Sequence, residues 1–354
     1  MTEQRPAAVR SGTEPDAPVA INARAAVRRE IGGVERVARE LVAQLPQISP
    51  GRYRVVAPRP ALAHGAGHAW EQLALPVLAR RSDIVLSPAN LAPYAGARNV
   101  VLIHDVAPFV GDWYSSLYAR WHRLLVPRVA RRAERVVTDS TAVRDQLVER
   151  LGVHPDQIWV VALGVGGHFG ADADPAPAAA RYGLDRPYVL AVGTDVPRKN
   201  FDLLDRVAPA LGREGIEVVI AGSTRPYMPR GDYGVRSLGY VDDALLPGLY
   251  AGARALAMPS LYEGFGLPCL EAMACATPVV ASSAPALPET CGNAALLVDP
   301  HDADAFARAL LEASGPTTTR ARLIDAGVQR AARHSWRDSA EQLDGHIGRL
   351  LGTA

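Results

Sequence analysis

Short apolar runs recur along this chain with helical segments between them, and the alternation runs through twice. In the first pass the runs are Val19–Asn22, Arg54–Ala57, Asp83–Leu86, Val100–Ile103 and Arg135–Thr138. Between them, Val34 to Leu45 sets Val34, Val37, Leu41 and Leu45 on one helical face, and Ser116–Val126 and Ala142–Leu151 also read as helices. A stretch of Gly, Ala, Asp and Pro follows from Gly164 to Ala180, the composition of a linker. The pattern then restarts, with strands expected at Tyr188–Val192, Glu217–Ala221, Ala255–Met258 and Val279–Ala281. Helices are expected at Asp202–Leu211, Pro268–Ala276 and Ala303–Glu312. Runs this apolar are buried on both faces, which points to parallel sheets covered by helices. The expected fold class is α/β, with two Rossmann-like doubly wound domains facing each other across a cleft. Ligands of such sheets lie beyond the carboxyl ends of the strands, here in that cleft. The division is a disordered tail over 1–17, an N-terminal domain over 18–170, a linker over 171–180 and a C-terminal domain over 181–335. A last helix over 336–354 returns to the N-terminal domain.

The length of 354 residues suits two cores better than one. No apolar run is long enough to span a membrane, and the N-terminus lacks the apolar core of a signal peptide, so a cytoplasmic address is expected. A net charge of +1 exerts no general pull on nucleic acid. Cys269, Cys275 and Cys291 have no metal-ligand spacing and read as reduced, buried thiols. Lys and Arg total 38, yet Lys199 is the only lysine. A chain that uses arginine everywhere else keeps one compact ammonium, which marks that position for attention; chance survival is the alternative.

The strongest motif is Pro259-Ser-Leu-Tyr-Glu-Gly-Phe-Gly-Leu-Pro-Cys-Leu-Glu271. A strand delivers the chain to a loop with Gly264 and Gly266, and Pro268 sits where a helix should begin. The glycines allow close approach of a ligand, and the helix N-terminus suits an anion. Glu263 and Glu271, the latter in the first helical turn, can both point into one cleft and accept hydrogen bonds from sugar hydroxyls. A capping Glu271 beside a surface Glu263 is the alternative for an isolated pair.

This stretch resembles the paired-glutamate motif of the retaining family 4 glycosyltransferases, which have the GT-B fold. Gly32-Gly33-Val34-Glu35-Arg36 is similar to the family's first glycine-rich loop, Ile103-His104-Asp105 to its His-Asp pair, and Thr138-Asp-Ser140 to the segment before the next helix. Val192-Gly-Thr-Asp-Val-Pro-Arg-Lys-Asn200 is similar to the diphosphate loop, and Leu238-Gly-Tyr-Val241 to the strand end that meets the nucleobase. The resemblance implies an acceptor-binding N-terminal domain and a donor-binding C-terminal domain. It implies that His104 contacts the donor sugar, Asp105 lies near the acceptor, Glu263 touches the reacting sugar and Glu271 holds the ribose. Gly33, Thr194, Arg198, Lys199, Val241, Gly264, Phe265, Gly266 and Leu267 complete the expected donor site. The partners implied are a nucleotide sugar and a hydroxyl acceptor, and mannosyl- and rhamnosyl-type members that build polysaccharide or glycolipid are nearest in look.

Arg198 and Lys199 make physical sense without the family. A departing nucleoside diphosphate gathers negative charge on its β-phosphate, and cations aimed there favour the transition state over the ground state. No metal or other cofactor is expected. The Asp-x-Asp spacings at Asp172/Asp174 and Asp302/Asp304 fall in the linker and before a helix. The family often has an arginine after the loop glycine; this chain has Thr194. From Trp113 to Arg135, aromatics and arginines suit peripheral contact with the inner face of an anionic membrane. The alternative, favoured by the helical period, turns Leu117, Trp121 and Leu125 inward. Rival functions are a sugar-nucleotide epimerase, a phosphorylase or a non-catalytic sugar-nucleotide-binding protein; an oxidoreductase lacks its glycine fingerprint.

Overall fold

The computed structural model describes residues 16–63, 67–96, 98–223 and 235–353. Most of the expected tail, residues 1–15, lies outside them, but Ala17 is buried and its carbonyl accepts from Ser82 Oγ at 2.8 Å, so ordered chain begins before residue 18.

Two six-stranded sheets form, and every strand pair is parallel. The first holds β1 (Val19–Asn22), β2 (Tyr53–Val56), β3 (Ile84–Ser87), β4 (Arg98–Leu102), β5 (Arg135–Thr138) and β6 (Ile158–Val160) in the order β2-β1-β3-β4-β5-β6. The second holds β7 (Tyr188–Val192), β8 (Glu217–Ala221), β9 (Arg236–Gly239), β10 (Ala255–Met258), β11 (Val279–Ser282) and β12 (Ala295–Val298) in the order β12-β11-β10-β7-β8-β9. All four residues of β1, β3, β10 and β11 are buried, as strands covered on both faces must be. In the second sheet the strand order reverses between β7 and β10. The loops that leave these two neighbours therefore open side by side, where doubly wound sheets bind ligands.

Strands β6 and β12 and the helices Gly67–Leu78 and Thr318–Ala331 had no clear sequence signal. Part of the expected linker is the helix Ala176–Tyr182, closed by Gly183 at φ 59° and packed on the helix Leu246–Ala251. The helix Trp336–Leu351 packs on Gly33–Ile48, and Asp344 anchors it by accepting from Arg52 Nη1 and Tyr53 OH, both at 2.7 Å, and from Ser49 Oγ at 2.9 Å. The helix Ser116–Arg132 does not pack as its period suggested. Its inward face is Ala119, His122, Val126, Val129 and Ala130, while Leu117 and Trp121 turn outward and Leu125 is half-buried. Val126, Val129 and Ala130 share a buried cluster with Val101 and Val136 of the sheet and Ile103 just beyond β4, and Leu117, Trp121 and Leu124 are left outside. No helix among the described residues is long and apolar enough to cross a membrane.

The two halves meet through directed polar contacts. Ser140 Oγ donates to the Gly264 carbonyl at 2.8 Å, and Val106 N donates to Tyr262 OH at 3.1 Å. The Glu289 carboxylate receives the N–H groups of Thr141 and Ala142, the positive end of the helix Thr141–Leu151.

Candidate active site

After β7 the chain makes a short 3-10 turn, Pro197–Lys199, and Asn200 follows in the left-handed region at φ 56°. Asparagine tolerates that conformation, and its Nδ2 donates to the carbonyls of Pro259 at 3.0 Å and Pro300 at 2.9 Å. The loop after β10 runs alongside, with Leu261 N donating to Arg198 O at 2.8 Å and Arg198 Nη1 to Tyr262 O at 3.0 Å. The two loops thereby bring together residues 64 apart in sequence. Lys199 Nζ donates to Glu263 Oε1 at 2.7 Å, and Arg198 Nη1 lies 3.3 Å from the same oxygen. All three side chains are largely or fully out of water. Burial alone would raise the Glu263 carboxyl, but Lys199 and Arg198 outweigh it and hold it at about 2. Burial also pulls the Lys199 ammonium below its ordinary value, against the attraction of Glu263. Two cations share one carboxylate, Asp105 adds a further negative charge that acts on Arg198, and Arg198 Nε is buried without a hydrogen-bond partner. An anion entering the cleft would find both cations and this Nε as partners.

The helix Leu267–Ala274 begins after Gly266, whose φ of 102° favours glycine; a Cβ there would also stand 2.5 Å from Leu287 Cδ2. Glu271 lies in the second turn of this helix and not the first, because the helix starts one residue before Pro268. Neither it nor Glu263 is the surface or capping residue of the alternative reading, since both are buried. Glu271 Oε2 accepts from Tyr250 OH at 2.8 Å, and Oε1 lies 3.1 Å from Arg36 Nε of the other half. Burial pushes the Glu271 carboxyl up, although Arg36 pulls the other way. Arg36 also reaches Asp243 with both terminal nitrogens, at 2.5 and 3.3 Å.

His104 follows β4. Its Nδ1 lies 2.7 Å from Asp139 Oδ2 and its Nε2 3.1 Å from the Pro88 carbonyl. Burial opposes a charge on the ring, but Asp139 prevails and raises the imidazole to about 9. With both ring nitrogens donating, His104 is a cation at neutral pH, held beneath the cleft. A ring so held has no nitrogen left for a sugar hydroxyl, so its influence on a ligand is chiefly electrostatic. Asp105 Oδ1 accepts from Ala107 N at 3.0 Å and opens a short helix, Ala107–Val110. The His104 carbonyl meets Gly264 so closely that a Cβ there would stand 1.9 Å from it.

Every residue expected from the sequence at the catalytic and donor site lines a single cleft between the halves, with a cavity of about 240 Å³. His104, Asp105 and Gly33 come from the first half, and Thr194, Arg198, Lys199, Val241, Glu263, Gly264, Phe265, Gly266, Leu267 and Glu271 from the second. Sequence reasoning passed over Arg36, Asp139, Gly222 and Tyr240, which line it too. Arg36, Asp139 and Tyr240 stood inside segments already noted for resemblance, and their types alone were the available signal. The Asp-x-Asp pairs do not line the cleft; Asp302 caps its helix by accepting from Ala305 N, and Asp174 accepts from Ala176 N.

A family model described as Glycosyltransferase Family 4 matches residues 31–166, and one described as Glycosyl transferases group 1 matches residues 186–314. The O-antigen chain mannosyltransferase B of Escherichia coli is 31% identical over 271 residues, which is 72% of this chain and 71% of that protein. The MMP alpha-(1->4)-mannosyltransferase of Mycolicibacterium hassiacum is 33% identical over 246 residues, 65% of this chain and 58% of that protein. Among solved structures, sucrose-phosphate synthase from Thermosynechococcus elongatus superposes with a TM-score of 0.74 at 20% identity, over 96% of this chain and 100% of that one. Anabaena HepE in complex with UDP and glucose gives a TM-score of 0.70 at 16% identity, over 94% and 99%. At these identities the structural likeness shows the GT-B fold.

Proposed function

The chain belongs to the group 1, family 4 glycosyltransferases, and from that premise we propose that it moves a hexose from a nucleoside-diphosphate donor to a hydroxyl acceptor, with retention and without a metal ion. The observation that carries this reading is the buried cluster of Arg198, Lys199 and Glu263 where the β7 and β10 loops open into the cleft. Its two cations would meet the charge of a leaving diphosphate. The bond from the anomeric carbon to the β-phosphate oxygen breaks, and the acceptor oxygen bonds to that carbon from the same face. The acceptor proton passes to the departing phosphate. In this course no side chain acts as a covalent nucleophile. His104, a fixed cation, and the guanidinium and ammonium pair would stabilise the charge that develops. Both relatives compared above are named mannosyltransferases, which favours mannose as the sugar and a polysaccharide or glycolipid hydroxyl as the acceptor.

A thermal-shift screen against GDP-mannose, UDP-glucose and other nucleotide sugars tests the reading first. A donor at about 100 times its Kd adds about 2.7 kcal/mol of stability. Turnover of the donor so found should continue in EDTA. Activity that vanished in EDTA and returned only with manganese or magnesium would overturn the cationic account of the diphosphate site. Release of nucleoside diphosphate without a glycosylated product would point to an epimerase or phosphorylase instead.

The two glutamates should separate in kinetics. Glu263→Gln removes the carboxylate that orders Lys199 and Arg198, and should lower kcat by about 10²-fold. Glu271→Gln should raise the donor KM about tenfold and leave kcat within a few-fold, as loss of one charged hydrogen bond to the ribose does. An equal rise in KM for both variants with kcat unchanged would remove the division of roles.

A further inference from the structure

We infer that Arg36 is a positioning residue of the donor site: from the first half of the chain it keeps Glu271, on the second half, ionised and aimed at the donor's ribose. The inference rests on the reading of Glu271 as the ribose-holding acid, and extends it by making that acid depend on the opposite half.

Arg36 leaves the helix Gly33–Ile48 and is held on three sides. Its Nε lies 3.1 Å from Glu271 Oε1, and its two terminal nitrogens take the Asp243 carboxylate. Its guanidinium lies over the Phe169 ring, 5.3 Å from the centroid. Asp243 is met in turn by His168 Nε2 at 3.4 Å. A planar fork fixed on Asp243 and Phe169 reaches Glu271 with little freedom left, so the contact sets a direction as well as a charge.

Glu271 needs such a partner. It is buried, and its other hydrogen bond comes from Tyr250 OH, a neutral group whose proton burial holds firmly. The titratable and charged groups that act on it are Arg36, Tyr250, Asp243 and His168. The Cys275 thiol just beyond its helix is pushed up to about 12 by burial and stays neutral. Asp243 opposes a second negative charge, and His168 helps only when protonated. Arg36 is therefore the one permanent cation in contact with Glu271 among the described residues. Burial pushes the Glu271 carboxyl up and Arg36 holds it down. Without Arg36 the acid takes up its proton at a higher pH. A protonated Glu271 turns one oxygen into a donor and loses the charge-assisted bond to a ribose hydroxyl. Closure of the halves and binding of the donor then favour each other through one side chain.

The affinities of GDP, UDP and dTDP are measured by calorimetry on the full chain across about pH 5.5–8.5. For the nucleotide that binds the parent protein, Arg36→Gln should weaken affinity about tenfold at neutral pH. The loss should grow as pH falls, because Glu271 then protonates earlier than in the parent. Arg36→Lys restores a cation and should move this acid limb back toward the parent's. Arg36→Gln/Glu271→Gln should bind as Glu271→Gln does and lack the acid limb, which tests the coupling even where Arg36→Gln alone does not fold. Asp243→Asn breaks the other tie of Arg36 to the second half and should leave affinity within a few-fold and the acid limb unmoved. Three results would each overturn the inference: parental affinity of Arg36→Gln at every pH, a further tenfold loss in the double variant beyond Glu271→Gln, or a loss in Asp243→Asn equal to that in Arg36→Gln. The last would make Arg36 a tie between the halves and nothing more. A parent protein that binds none of the three nucleotides would overturn the donor-site reading itself, and the inference with it.

Discussion

Lys199→Arg is expected to lower kcat by about 10²–10³-fold, the usual effect of losing one preorganised donor to a developing charge. The swap keeps the charge and changes its shape. Lys199 is buried and already packed tightly: a Cβ added at Gly193 would come within 2.8 Å of its Cε. Its Nζ sits 2.7 Å from Glu263 Oε1, and Arg198 shares that oxygen. A second guanidinium there is larger, planar and unable to place a compact charge at the same point. Because the side chain is enclosed and not simply facing the cleft, stability should also fall, by about 1–3 kcal/mol for overpacking. The decisive quantity is kcat per folded molecule, with the folded fraction taken from the melting curve. A variant that loses stability but keeps its turnover per folded molecule would make Lys199 a packing residue, and its solitary survival among the basic residues would be an accident.

Gly264→Ala should be nearly as damaging for a different reason. The new methyl would lie 1.9 Å from the His104 carbonyl oxygen and 3.2 Å from Asp105 Cβ. The oxygen is backbone and belongs to the opposite half, so it cannot rotate away as a side-chain tip could. The glutamate loop must then retreat by an ångström or so, carrying Glu263 with it. A misplacement of that size costs about 10²-fold in rate. Gly212→Ala is the control, because that glycine lies in the helix Asp202–Arg213 with no atom within 4 Å of an added Cβ. It should keep full activity and gain about 0.4–1 kcal/mol of stability. Equal activity of the two variants would show that the contact between Gly264 and His104 plays no part in assembling the site.

Much of this site could be read from local pattern. The loops after β7 and β10 were visible because glycine, proline and charge cluster where a strand hands over to a helix. The residues they hold were legible because few side chains suit a phosphate or a sugar hydroxyl. The Asp139 partner of His104, 35 residues away, carried no such signal, since an aspartate before a helix is more often a cap. Arg36 was equally silent: nothing near it in the chain says that it spans the cleft to Glu271 and Asp243.

By itself the sequence determined the α/β class, the repetition of the domain and the chemistry offered at each strand end. These follow from periodicity and from side-chain types, which act over a turn or a strand. Only the tertiary structure decided which strand ends became neighbours. The reversal of strand order between β7 and β10 put Lys199 against Glu263, and packing of the halves put the His104 carbonyl on Gly264. It also decided which side of Ser116–Arg132 faced water. That helix has two apolar stripes, and its period cannot choose between them. The choice went to the side of Val126, Val129 and Ala130, which packs with Val101, Ile103 and Val136 in one buried cluster, leaving Leu117 and Trp121 outside.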